Sequence, residues 1–161
     1  MSQEIHGNEA FEGMTEDQVL DELFETTKSL PERTVRIERL GLEVTMSGLL
    51  AKKVDSIRER CTIRKEKRHG KSTEQFDDEK FNAMLITAST TGLVLKKKAG
   101  DKVVEVKLSG WGDERLTSRM RLSGGEEVVR RILLGGELVA LGDTVLDLSG
   151  YGVELDDVKN S

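Results

Sequence analysis

One cysteine, one proline, one tryptophan and one tyrosine are spread over 161 residues, and aromatic residues make up only 4% of the chain. With Cys61 alone, no intrachain disulfide can form, which fits a reducing cytoplasm. So few rings require a core of Leu, Val and Ile. No basic segment followed by an apolar run opens the chain, so no signal peptide is expected. No stretch nears the length that spans a bilayer, so no membrane partner is expected either.

The chemistry-bearing motifs are equally sparse. The two histidines, His6 and His69, lie in polar segments and with one cysteine do not make a zinc site. There is no GxxxxGK(S/T) phosphate loop, and Gly110 and Gly112 lack the strand–turn–helix setting of a dinucleotide site. No Ser-x-x-Lys and no nucleophile elbow appears. Asp143 and Asp147 are a carboxylate pair one helical turn apart, but they lie off the apolar stripe and no second pair completes a metal shell, so they read as surface charges. No catalytic, cofactor-binding or metal-ligating residue is assigned, and a non-enzymatic protein is expected.

What the chain does contain is aliphatic periodicity. Leu134, Leu138, Leu141, Val145 and Leu148 recur at helical spacing, forming one stripe. Upstream, Val128, Val129, Ile132 and Leu133 form a shorter one, and Gly135-Gly136 separates the two, so two helices joined by a tight turn are predicted. Glu126-Glu127 and Arg130-Arg131 suit the opposite ends of the first helix's dipole. Glu137 is expected to begin the second, and Gly150 to stop it.

Near the start, Thr15 and Gln18 have the spacing of a capping box. They open a helix over 16–29 with an apolar face of Val19, Leu20, Leu23 and Phe24, closed by Leu30-Pro31. Residues 33–46 change to period two and predict a hairpin of two short strands. Ser47 is a candidate cap for a helix over 48–60 whose stripe is Leu50, Val54, Ile57 and Cys61, which makes Cys61 a buried small hydrophobe rather than a nucleophile. Asp77 is a candidate cap for a helix carrying Phe81, Met84, Leu85 and Ala88. Residues 93–109 alternate weakly around Ala99-Gly100-Asp101 and fit either a second hairpin or a partly disordered loop. Trp111, between two glycines, is an anchor on the core or a partner hot spot, the anchor being favoured.

These elements predict an α+β fold, mainly α-helical, with one or two short β-hairpins packed on the helices. Residues 1–14 are expected to be disordered, 15–151 to form a single mostly helical domain with a mobile insertion at 92–121, and 152–161 to form an acidic tail. The charge of −5 argues against non-specific nucleic-acid binding. The basic stretch 58–71 is read as a helix end running into a solvated loop, the alternative being a patch through which a regulator binds nucleic acid.

The layout resembles the XkdN-like tail assembly chaperones of long-tailed bacteriophages, the group found in Bacillus prophages. The resemblance is carried by the hairpin from Val35 to Met46, by Val54-Asp55-Ser56-Ile57-Arg58-Glu59-Arg60-Cys61-Thr62, by Phe76 to Leu85, and by Val128-Val129 through Leu146-Asp147-Leu148-Ser149-Gly150-Tyr151. It spans roughly 34–151. Residues 93–121 depart from it, being longer and lysine-rich where the family has a short loop with a proline-containing stretch. The resemblance implies a protein that binds and solubilises the tape measure protein and helps the major tail tube protein polymerise around it. It also implies work in the host cell cytoplasm and absence from the mature virion. Under this reading Val19, Leu20, Leu23, Phe24, Leu134, Leu138, Leu141, Val145 and Leu148 are the expected partner-binding residues. A self-associating scaffold protein is the main alternative.

Overall fold

The structure, a computed structural model, describes residues 13–66 and 70–158. His6, His69, most of the N-terminal segment expected to be disordered and the last three residues of the acidic tail lie outside them. The chain divides into two compact units between Leu30 and Pro31.

In the first unit, α1 (Glu16–Thr27) begins at the expected capping box. Thr15 Oγ1 accepts from the Gln18 N–H at 3.2 Å, and the Thr15 N–H donates to Gln18 Oε1 at 2.8 Å. Two of the unpaired donors at the helix start are thereby satisfied. Glu16 and Asp17 sit in the first turn, where the helix dipole favours negative charge.

The second unit is built on a four-stranded antiparallel sheet. β1 (Glu32–Ile37) and β2 (Leu42–Ser47) form the predicted hairpin. β5 (Thr90–Ala99) pairs with β2, and β6 (Lys102–Leu108) pairs with β5, giving the order β1-β2-β5-β6. β2 shows the alternation that a one-sided core demands: Leu42, Val44 and Met46 are buried, while Glu43, Thr45 and Ser47 are half-buried. On the outer face one charged side chain from each strand joins a ladder. Arg36 lies 3.6 Å from Glu43, Lys96 3.0 Å from Glu43, and Lys96 3.4 Å from Glu105.

Five helices complete this unit. α2 (Ala51–Arg60) buries Val54 and Ile57. α3 (Asp78–Ser89), capped by Asp77, buries Phe81, Ala83, Met84, Leu85 and Ile86. Apolar on several faces, it packs against α5 (Gly125–Ile132), α6 (Gly135–Leu148) and α2. α4 (Glu114–Met120) follows Trp111, which is buried and donates its Nε1–H to Thr90 Oγ1 at 2.9 Å. Trp111 is thus the anchor that the sequence favoured.

The expectation of a mainly helical fold with one or two hairpins is corrected. Among the described residues there are six helices and six strands in two antiparallel sheets. Two physical causes account for the difference. First, 93–108 forms long strands that extend the first hairpin into a sheet, giving its apolar side a continuous surface to pack on. Second, residues 62–66 of the basic stretch form β3 (Thr62–Glu66), which pairs with β4 (Ser72–Phe76) as a separate hairpin. The Asp77 N–H closes it onto the Cys61 carbonyl at 2.9 Å, and Phe76 meets Phe81 edge-to-face at 5.2 Å.

Two helix starts also move. Ser47 ends β2 instead of capping α2, and Leu50, expected in the α2 stripe, is exposed. Gly135-Gly136 does not separate the last helices. Leu133 and Leu134 are extended and make the break, while both glycines lie in the first turn of α6.

Candidate functional site

The nine residues expected to bind a partner fall into two environments. Leu138, Leu141, Val145 and Leu148 line the inward side of α6 and are buried in the core. Their stripe is covered by α3 and the sheet, so in the folded chain it serves packing. Leu134, at the head of the same stripe, is 57% exposed because the extended break turns it away from the core.

On α1 the situation is reversed. Val19, Leu20, Leu23 and Phe24 are 52%, 42%, 55% and 56% exposed, and α1 has no buried residue. The four side chains sit at i, i+1, i+4 and i+5, so they form one contiguous patch on the helix surface. Asp17, Asp21, Glu22 and Glu25 occupy the remaining surface. The unit therefore presents an apolar strip bordered by carboxylates.

A second surface feature was not foreseen. A groove of about 420 Å³ runs between β1 and α6, lined by Val35, Ile37, Ala140, Leu141 and Thr144. At one end Arg39 grips Glu137 through two hydrogen bonds, Nη2 to Oε1 at 2.7 Å and Nε to Oε2 at 3.0 Å, and donates a third to the Ile132 carbonyl at 2.9 Å. Glu137 also accepts from the Leu134 N–H at 2.8 Å. The Arg39 guanidinium, then that N–H, hold the Glu137 carboxyl at about 2, below its usual range. The two partners are almost a hundred positions apart, and no local spacing announces their pairing.

The remaining titratable features are structural. Asp113 is buried and accepts from Arg115 Nε and Nη2 and from the N–H groups of Ser109 and Arg115. The Arg115 guanidinium, with those N–H groups, holds its carboxyl well below the usual carboxylate range and fixes the Trp111 segment to the start of α4. Cys61 is buried with its Sγ 3.7 Å from Met84 Sδ, and burial pushes the thiol up, away from the reactive thiolate. In the basic stretch Arg64 is paired with Glu59 at 2.6 Å and Glu74 at 3.1 Å, and Arg58 lies over the Phe81 ring at 5.4 Å. Both cations are thus engaged within the chain. Among the described residues no group of three or more His, Cys, Asp or Glu is placed to hold a metal ion. No helix among them is long and apolar enough to cross a membrane.

The body is an α+β fold whose main stripe is internally covered, and α1 is a short helix whose apolar face is exposed. The chain belongs to the phage XkdN-like tail assembly chaperone family, whose model matches residues 17–160. The match takes in all of α1 but its first residue and every element of the body, including 93–121, and extends beyond the span on which the resemblance rested. No curated protein and no solved structure matches the chain. Family membership gives it a role in phage tail assembly in the host cell, with tail proteins as partners, and points to a non-enzymatic protein.

Proposed function

We propose that this chain binds the tape measure protein in the host cytoplasm, keeps it soluble, promotes polymerisation of the major tail tube protein around it, and leaves before the virion is complete. The observation that carries the reading is the open face of α1, Val19, Leu20, Leu23 and Phe24. An elongated helical client presents apolar stripes that aggregate when bare. A short amphipathic helix covers such a stripe by packing its own apolar side against it. Leu134 is the one residue of the α6 stripe still available for the same purpose.

Magnitudes favour many weak contacts over one tight one. Fully burying an aliphatic or aromatic side chain stabilises by about 1.5–3 kcal/mol. Four half-exposed side chains therefore supply roughly 3–6 kcal/mol before the cost of association is subtracted. One copy on one site is weak, whereas several copies ranged along a long client hold it collectively and remain individually replaceable by tube subunits. The carboxylates bordering the strip keep the covered client in solution.

The test is co-expression with the tape measure protein of the same phage. The parent chain is expected to hold the client in the soluble fraction and to co-purify with it. Leu20→Glu with Leu23→Glu is expected to lose both effects while the body keeps its melting temperature. A parent chain that neither binds nor solubilises the client refutes the reading, and a double variant that still does both removes α1 as the surface.

A further inference from the structure

β1 is an edge strand, since the order β1-β2-β5-β6 leaves one of its sides without a neighbour among the described residues. The Gly48 N–H donates to the Pro31 carbonyl at 2.8 Å, and this bond sets the phase of the β1–β2 ladder. Pairs 33–46, 35–44 and 37–42 exchange hydrogen bonds, so the backbone groups of Glu32, Thr34 and Arg36 point outward along the free side. The groove between β1 and α6 flanks that side, with an apolar floor of Val35, Ile37, Ala140 and Leu141. Arg33, Arg36 and Arg39 stand along it; Arg36 is paired with Glu38 at 2.6 Å and Arg39 with Glu137 at 2.7 Å, and Arg33, with Asp147 at 3.9 Å, is the least engaged of the three. An extended segment of about four residues, alternating apolar and acidic side chains, matches this edge in backbone and groove.

The chain carries such a segment. After α6, residues 153–158 read Val-Glu-Leu-Asp-Asp-Val, alternate apolar and acidic as far as Asp156, and belong to no helix or strand. Val153, Leu155 and Val158 are 62%, 88% and 91% exposed, so the segment occupies no apolar site of its own chain. As a strand it places Val153 and Leu155 on one face and Glu154 and Asp156 on the other.

We propose that residues 153–156 of one copy add as a strand to the free side of β1 in a second copy. Val153 and Leu155 enter the groove beside Val35 and Ile37, and Glu154 and Asp156 lie on the outer face, where they share Arg36 with Glu38 and Glu43. The backbone of Thr34 and Arg36 supplies the ladder, and the alternate side chains supply the selectivity. Covering this side also removes an edge otherwise open to indiscriminate pairing. The inference concerns copies of this chain alone and stands or falls independently of client binding by α1.

Sedimentation velocity of the full chain over a concentration series tests it, with Leu155→Asp and Thr34→Pro as variants. Leu155 is almost wholly exposed, so its replacement leaves the fold intact. Proline at 34 removes an outward N–H, the one place where an edge strand accommodates it. The parent is expected to self-associate, and each variant to weaken association about tenfold or more. A parent that stays monomeric, or a Leu155→Asp chain that associates like the parent, overturns the proposal. Hydrogen exchange supplies a second readout: the Thr34 and Arg36 amides should gain protection as concentration rises. Protection already complete in the dilute monomer would place the segment on its own β1 and overturn exchange between copies.

Discussion

α1 and α6 each gather four apolar side chains on one helical face, Val19, Leu20, Leu23 and Phe24 in the first and Leu138, Leu141, Val145 and Leu148 in the second. In α6 all four are buried, whereas in α1 all four are close to half exposed. The difference does not lie in the stripes. α6 has α3 and the sheet to pack against, and α1 has no buried residue. Periodicity reports that a helix has an apolar side, and the cover that side finds decides whether it serves stability or recognition.

The sharpest way to break this comparison is one charge on each stripe. Leu141→Glu places a carboxylate in the core. It forfeits the roughly 2–5 kcal/mol carried by a buried leucine and adds the cost of an unpaired buried charge. The body should unfold or melt far below the parent in thermal denaturation. Leu23→Glu should leave that transition in place. A Leu141→Glu chain with the parent's transition would mean that the α6 stripe is not the core.

Two close approaches on α6 give the next largest effect. A Cβ on Gly48 would stand 2.8 Å from the Leu148 carbonyl carbon, and a Cβ on Gly142 would stand 2.7 Å from Asn82 Cγ. The first obstacle is backbone and cannot turn aside, so Gly48→Ala should cost about 3 kcal/mol or more, at the upper end of overpacking. The second is a side chain, and alanine within a helix returns about 1 kcal/mol of propensity. Gly142→Ala should therefore lose only about 1 kcal/mol. Combined with Asn82→Ala it should lose less than the two single changes together, a coupling that a double-mutant cycle in urea measures.

These contacts also show what the sequence could and could not tell. The capping residues Thr15 and Asp77, the first hairpin and the α6 stripe are local patterns and were legible. The β3–β4 hairpin was not, because Thr-Ile-Arg-Lys-Glu and Ser-Thr-Glu-Gln-Phe are largely solvated on both faces and show no alternation. The Gly135-Gly136 pair misled, since both glycines lie in the first turn of α6 and the extended Leu133-Leu134 makes the break. Of the candidate site, the apolar residues were identifiable but their exposure was not. The groove beside β1 depends on Arg39 meeting Glu137 across most of the chain.

A smaller effect follows from that pair. Arg39 holds the Glu137 carboxyl at about 2 in the folded chain, below the ordinary value of 4.5. With the folded value depressed, the pair's contribution is complete above pH 4.5 and is lost as pH falls toward 2, because the unfolded chain takes up the proton first. Urea midpoints should decline across that window, and Glu137→Gln should flatten part of the decline. Asp113, depressed by Arg115, Glu59, depressed by Arg64, and Glu127, depressed by Ser123, keep the remainder. An unchanged pH profile in Glu137→Gln would mean that the Arg39 contact does not persist in solution.

The smallest effect on the whole molecule, and the one that most sharpens the contrast between the two helices, is Thr15→Ala. A twelve-residue helix with no buried side chain is marginal in water, so its capping box is a principal local support. Removing the Thr15 hydroxyl should cost about 1 kcal/mol of local helix stability and speed hydrogen exchange at the α1 amides. The core contains no α1 residue, so the body's melting temperature should not move. If α1 acts as a docking strip, the same change should weaken client retention while leaving its apolar face chemically intact. Order in that helix would then be part of the binding surface, because a frayed segment must lose conformational freedom again each time it docks.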